Sequence, residues 1–316
     1  MDFNHIPVLP LEAVDALSIR PGGIYIDGTL GGGGHSALIL EKLSGNGSLI
    51  GIDQDISAIS AARLRLGNKI QAIHGNFHDL QGILKEVGIK KVDGILLDLG
   101  ISSHQVDTPE RGFSYRLEGR LDMRMNQDSD ISAYDIINTY PEEQLVDMFF
   151  SFGEERFSRR IAKGIIMARK TAPIETTLEL SAIIEKAVPR RRPSDGPHPA
   201  MRTFMALRIA VNNELHPLEE ALISAVDCLN PGGRISAITF HSLEDRIVKH
   251  CFNKLANPCI CPRDIPFCAC GKVSTLKIIT KKPILPTQEE LAHNSRAHSA
   301  KLRVGEKLHE RATAPK

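Results

Sequence analysis

The stretch Ile24-Tyr25-Ile26-Asp27-Gly28-Thr29-Leu30-Gly31-Gly32-Gly33-Gly34-His35-Ser36 decides the fold. A short apolar strand ending in an acid runs into four consecutive glycines, and Ser36-Ala37-Leu38-Ile39-Leu40 then has the apolar spacing of a helix. The glycines let the backbone turn sharply and approach a ligand with no Cβ in the way, and the amides at a helix start suit a polar ligand. A second apolar strand ends at Asp53. In a nucleotide-binding βαβ unit, a carboxylate about 20 residues beyond the glycines accepts hydrogen bonds from both ribose hydroxyls. Asp53 fits that position.

The glycine spacing then narrows the cofactor. A dinucleotide loop reads G-x-G-x-x-G, and the register that starts at Gly31 meets Ser36 where the last glycine belongs. An acid on the strand is the second difference. Asp27 would repel a pyrophosphate, whereas it suits the ammonium and sulfonium-bearing end of S-adenosylmethionine. A glycine-rich turn that binds nothing is the bland alternative, and the strand, helix and distal acid around the loop weigh against it.

Composition frames this site. With 316 residues, 42% of them hydrophobic, the chain can bury one large core and an additional module. No run is long and apolar enough to span a bilayer, and Met1-Asp2-Phe3-Asn4-His5 lacks the basic and apolar regions of a signal peptide, so the expectation is a soluble cytoplasmic protein with no membrane partner. The formal net charge is only +1, yet it is unevenly spread. Residues 1–60 carry seven acids against two bases, residues 272–316 carry ten bases against four acids, and residues 156–170 hold six bases and no acid. Segregated positive charge is what phosphate binding needs, although a solvated helix face would look the same at 156–170.

Further strands follow from apolar runs. A helix from Ile56 to Leu66 leads to a strand over residues 70–77, which brings Phe77 near the ribose acid as either an adenine platform or a core side chain. The run Val92-Asp93-Gly94-Ile95-Leu96-Leu97-Asp98 reads as a buried strand ending in an acid, followed by Leu99-Gly100-Ile101-Ser102-Ser103. Chemistry in an open parallel sheet sits at the carboxyl ends of strands, beside the point where strand order reverses. That makes Asp98 the first candidate active-site acid, with Ser102 beside it; a helix N-cap is the alternative for each. Strand-helix alternation stops near residue 108 and resumes near 232. Between them lie helical patterns at 142–150, 156–169 and 177–188, the last opened by Thr176 with Glu179 in capping-box spacing, then a basic turn at 189–193 and a long helical stretch over 200–229. The expected organisation is a first core part at 1–107, an inserted helical domain at 108–211 for substrate recognition, and a second core part at 212–316 with a Cys-containing loop and basic tail. A substrate cleft is expected between core and insert.

Four of the six cysteines cluster as Cys259-Ile260-Cys261 and Cys268-Ala269-Cys270. In a reducing compartment this reads as a structural zinc site or as a loop with free thiols, since zinc pairs usually have two or more residues between thiolates.

Several motifs together carry a resemblance. The segment 27–36, Asp98-Leu99-Gly100-Ile101-Ser102-Ser103 with Gln105, Arg111-Gly112-Phe113-Ser114, and Leu121-Asp122-Met123-Arg124-Met125 are among them. So are His198-Pro199-Ala200 with Arg202-Thr203-Phe204, Phe240-His241-Ser242-Leu243-Glu244-Asp245-Arg246, and Ser299-Ala300-Lys301-Leu302-Arg303. In order and over nearly the whole chain, these resemble the bacterial ribosomal RNA small-subunit methyltransferase H family. The resemblance implies an α/β fold with a Rossmann-like class I S-adenosylmethionine-dependent methyltransferase core and an inserted helical domain. It also implies methyl transfer to the exocyclic N4 of a cytidine in the decoding region of 16S rRNA. By position, Gly33, Gly34, His35, Asp53, Phe77, Asp98 and Gln105 resemble the family's cofactor contacts; His35 and Gln105 follow from the resemblance alone, whereas Asp27 is proposed from its charge.

The chemistry sets its own demands. The cytosine amine is a weak nucleophile, because its lone pair is conjugated with the ring, so an acceptor must hold an N–H while nitrogen aligns behind the methyl group. Asp98, or a carbonyl beside Ser102, is the expected acceptor. The target base must also leave its stack, and Arg111, Arg124, Arg202 and His241 are candidates for the RNA-facing surface, with structural ion pairing as their alternative. The expected partner is 16S rRNA or the small ribosomal subunit; a second copy of the chain stays open. Two rival functions share the fold: an NAD-dependent dehydrogenase, and a non-catalytic RNA-binding or ribosome-assembly factor.

Overall fold

The computed structural model describes residues 7–189, 198–262 and 269–309. Seven strands form one sheet: β1 (Ile24–Asp27), β2 (Ser48–Asp53), β3 (Gln71–His74), β4 (Val92–Asp98), β5 (Leu229–Thr239), β6 (Leu276–Ile278) and β7 (Lys301–Lys307). Their order is β3-β2-β1-β4-β5-β7-β6. The five strands from β3 to β5 are parallel, and β7 runs antiparallel between β5 and β6. This is a Rossmann-like doubly wound sheet with a reversed strand near one edge.

Alternation along the strands explains the two layers that cover the sheet. Ile26, Ile95 and Leu97 face a cluster that includes Leu84, Leu222 and Phe252, from the helices Leu80–Glu86, Leu218–Cys228 and Ser242–Ala256. Tyr25 and Leu96 face the other way, onto Val14, Ile39 and Ile59 from the helices Pro10–Ala16, Gly34–Leu43 and Ile56–Leu66. Central strands buried on both faces read as continuous apolar runs, which is how β4 is legible in the sequence. Among the described residues, no helix is long and apolar enough to cross a membrane.

The chain divides into two compact units, one made of Met1–Gly100 with Leu215–Lys316 and the other of Ile101–Glu214. The sheet belongs to the first, which is therefore discontinuous in sequence. The second has its own apolar core of Leu121, Met123, Ile136, Phe149, Ile161, Leu180 and Phe204 among others, carried largely by the helices Ala133–Thr139, Glu142–Gly153, Ser158–Arg169, Thr177–Ala187 and Ala200–Asn212. Thr176 caps the fourth of these by accepting the Glu179 amide, while the Glu179 carboxylate accepts the Thr176 amide.

Three sequence expectations change. The helical stretch over 200–229 is two helices: Asn213 takes a left-handed φ of 49° that closes the first, and Pro217 precedes the second at Leu218. Residues 70–77 are not all strand, because Phe77 opens a 3-10 turn, Phe77–Asp79. The basic tail is partly sheet, with Lys301 and Arg303 of β7 paired to Asp245. The arginines of the expected basic turn, Arg190 to Arg192, lie outside the described residues.

Candidate active site

Strand order reverses between β1 and β4, so the loops leaving their carboxyl ends diverge and leave room there for a ligand. The last residues of these strands are Asp27 and Asp98. Asp27 is buried; its Oδ2 accepts the Ser36 hydroxyl at 2.7 Å and its Oδ1 the Thr29 amide at 3.3 Å. Burial raises its carboxyl above the ordinary 3.8, opposed by the nearby His35, the Ser36 hydroxyl and the Thr29 amide.

The glycine loop is anchored to the second acid. Asp53 accepts the amides of Gly31 at 2.8 Å and Asp55 at 2.9 Å, one on each oxygen. Each carboxylate oxygen keeps a second lone pair, which is the arrangement a ribose diol requires. Desolvation pushes the Asp53 carboxyl up to about 6 despite those two amides. Gly33 caps the helix Gly34–Leu43 with φ +73°, and a Cβ there would lie 2.9 Å from Leu66 Cδ1. The left-handed conformation therefore favours glycine, and a Cβ would also have to push the Leu66 side chain aside.

Asp98 is incompletely satisfied. Its amide donates to Thr29 Oγ1 at 2.6 Å, its Oδ2 lies 3.7 Å from His35 Nδ1, and its Oδ1 is buried with no hydrogen-bond partner among the described residues. His35 Nε2 is 2.9 Å from the Val8 carbonyl, which can only accept, so Nε2 carries a proton and Nδ1 faces Asp98. Burial pushes the Asp98 carboxyl up to about 6; His35 opposes the shift, and the charges of Asp27 and Glu244 add to it. An unpartnered buried oxygen is costly, and here it sits at the strand-order switch beside a glycine loop. A ligand that brings positive charge or N–H groups would relieve it. The donor set therefore fits S-adenosylmethionine.

The remaining expected residues fall into place as follows. Phe77 is half-buried and packs against the core cluster that contains Leu97. Ser102 caps the short helix Ser103–Asp107, its hydroxyl accepting the Gln105 amide while Gln105 Oε1 accepts the Ser102 amide at 3.0 Å. The N-cap alternative thus holds for Ser102 and fails for Asp98.

Of the RNA-facing candidates, Arg111 is buried and its guanidinium donates to the Arg124 and Met125 carbonyls at 2.9 and 3.1 Å, bracing that loop from inside. Arg124 is half-buried and forks onto Asp122 at 2.7 and 2.9 Å. Arg202 is exposed, donating to the Glu154 carbonyl at 3.2 Å. In the sheet-containing unit, His241 caps the helix Ser242–Ala256, with Nε2 3.0 Å from Glu244 Oε1.

Sequence reading missed Thr29, Ser36 and Glu244. Thr29 and Ser36 lie inside the glycine segment, but hydroxyl partners of buried acids leave no periodic signal. Glu244 stands three residues after His241, a capping-box spacing that a search for caps would flag.

Residues 2–308 match the MraW methylase family. A ribosomal RNA small subunit methyltransferase H from Heliobacterium mobile is 53% identical over 312 residues, covering 98% of this chain and 100% of its own. Its counterpart from Fusobacterium nucleatum is 55% identical over 307 residues, covering 96% and 97%. One from Brevibacillus brevis is 52% identical over 311 residues, covering 98% and 99%.

Proposed function

Because the chain belongs to the MraW methylase family, we propose that it transfers a methyl group from S-adenosylmethionine to the exocyclic N4 of a cytidine in the decoding region of 16S rRNA, in the cytoplasm. The carrying observation is Asp98: a buried, unpartnered carboxylate oxygen at the sheet's switch point, next to the glycine loop and ribose acid of a nucleoside site. Neither rival reading uses such a group as well. A pyrophosphate would be repelled by Asp27 and Asp98 together, and an RNA-binding factor without chemistry has no task for an unsatisfied buried acid.

The bound cofactor supplies a methyl group on a positively charged sulfur. Asp53 would hold the ribose, Phe77 would offer a face to the adenine, and Gly33 and Gly34 would let the backbone approach closely. Asp27, with His35 behind it, holds the cationic amino-acid end, and Gln105 is a further contact. Asp98 has two tasks, facing the cofactor and accepting an N–H of the cytidine amine, for which its two oxygens offer enough lone pairs. Alignment at roughly 3 to 3.5 Å removes much of the entropic barrier, so positioning by these residues is the main contribution. Asp98, or the carbonyl beside Ser102, would hold an N–H of the amine as N4 takes the methyl group, and the Asp98 carboxylate is the base that would take the surplus proton.

RNA-side contacts in this reading come from Arg124, Arg202 and His241, with Arg111 bracing the loop that carries Arg124. The helix Ser158–Arg169 adds exposed Arg159, Arg160 and Lys163. None of these three is ion-paired among the described residues, which leaves their charge available to phosphates. The test of function compares single-turnover methyl transfer with cofactor affinity in wild type and Asp98→Asn. A rate loss of roughly a hundredfold or more beyond the affinity loss supports the acceptor role; a loss that merely tracks affinity contradicts it.

A further inference from the structure

The excursion between the helix Ser242–Ala256 and β6 leaves and re-enters the fold at one place. Ser274 Oγ donates to the Ala256 carbonyl at 2.6 Å, and the Thr275 amide donates to the Leu255 carbonyl at 3.0 Å. Residues 257–273 are thus a loop closed at its neck by the protein itself. Among its described residues, Ile260 and Val273 are 71% and 57% exposed. These exposed apolar side chains give the two described arms no packing of their own, so something else must hold them together.

Its three described cysteines converge. The Sγ atoms of Cys259, Cys261 and Cys270 all lie within 4.8 Å of one another, and Cys259 and Cys270, from opposite arms, are 3.9 Å apart. None is disulfide-bonded, and 3.9 Å is far beyond the ~2.05 Å of a sulfur–sulfur bond. It is close to the spacing of about 3.8 Å between thiolates that share a tetrahedral zinc at ~2.3 Å. The Ala269 amide also donates to Cys261 Sγ at 3.3 Å, and a thiolate accepts such a bond far better than a thiol. The sequence supplies a fourth thiol, Cys268, which lies outside the described residues.

We propose that Cys259, Cys261 and Cys270 form a structural zinc site that ties together the two arms of the loop, 257–262 and 269–273. Each thiol gives its proton to solvent as its sulfur bonds the metal, with no redox change, so loading strengthens as pH rises. Because the neck bonds close the loop independently, the metal orders the loop without holding the sheet. Removing it should leave the folded core and cofactor binding in place, unlike a zinc finger that unfolds without metal. The inference is independent of methyl transfer.

The test is elemental analysis of the full chain purified without chelators, with cobalt substitution, on wild type, Cys259→Ser, Cys270→Ser and the distant Cys228→Ala. Stoichiometric zinc is expected in wild type and Cys228→Ala and lost in the other two. The cobalt form should show sulfur-to-metal charge-transfer absorption with tetrahedral bands. Chelation should open 257–273 to limited proteolysis while S-adenosylmethionine affinity, by calorimetry, stays within about twofold. A chain that takes up neither metal, zinc retained in both serine variants, iron with acid-labile sulfide in zinc's place, or a disulfide found by mass under reducing purification would each overturn the proposal.

Discussion

Burial pushes the Asp98 and Asp53 carboxyls up to about 6 from an ordinary 3.8 and raises that of Asp27 as well, and all three are proposed to meet the cofactor. For an acid with a raised pKa, the charged form is the one disfavoured by folding. The cofactor-free protein therefore loses stability as pH rises from near 3.8 towards about 6, and this part of the profile levels off above that. Thermal melts across that range should show the loss, and Asp53→Asn and Asp98→Asn should each flatten it; a wild-type profile unchanged by either variant contradicts the shifts. Cofactor affinity runs the other way, because the diol and the cationic end need ionised acids. Affinity for S-adenosylmethionine should weaken by up to about tenfold per unit as pH falls below about 6, and Asp53→Ala should weaken it on the order of tenfold to a hundredfold at neutral pH, read by calorimetry. At this scale the sequence was legible where a spacing rule exists. Asp27, Asp53 and Asp98 stand at strand ends, whereas the hydroxyls of Thr29 and Ser36 satisfy their neighbours through contacts that only the folded loop creates.

Between residues 24 and 53, every local preference agrees: apolar strand, glycine turn, helix, apolar strand. Gly33 is where that agreement is tightest. Gly33→Ala must adopt φ +73° and displace Leu66, which should cost about 1 to 3 kcal/mol of stability in denaturant titrations and weaken the cofactor as well. Thr176→Ala removes a capping-box oxygen in the helical unit and should cost about 1 kcal/mol without changing cofactor affinity. Elements that sequence pattern missed are the ones stabilised from far away. In β7 the buried Arg303 looks like part of a basic tail until Asp245, 58 residues distant, is seen to accept its guanidinium at 2.6 Å. The apolar period running through 200–229 likewise hides a helix end, because Asn213 in a left-handed conformation leaves the spacing on either side intact.

The molecule as a whole separates its charges by task. Acids collect at the carboxyl ends of the sheet, and a helix of the second unit exposes Arg159, Arg160 and Lys163. Replacing those three with alanine should weaken RNA binding and flatten its salt dependence by roughly 2 to 3 in logarithmic slope, with cofactor affinity unchanged. An unchanged slope would return that helix to the role of a solvated face. Discontinuity of the core shows in the strand-helix alternation that stops and resumes; the unit boundary at Gly100 and Leu215 is less visible, since Leu99 and Ile101 prolong the apolar run of β4 across it. The central claim is the reaction itself. Protein, methyl-labelled S-adenosylmethionine and unmodified small ribosomal subunits should be incubated together, the RNA digested, and the labelled nucleosides identified by mass spectrometry. Label on cytidine N4 is the predicted result. Label on another atom or nucleoside, or none from a protein that binds the cofactor and the subunit, would contradict the account.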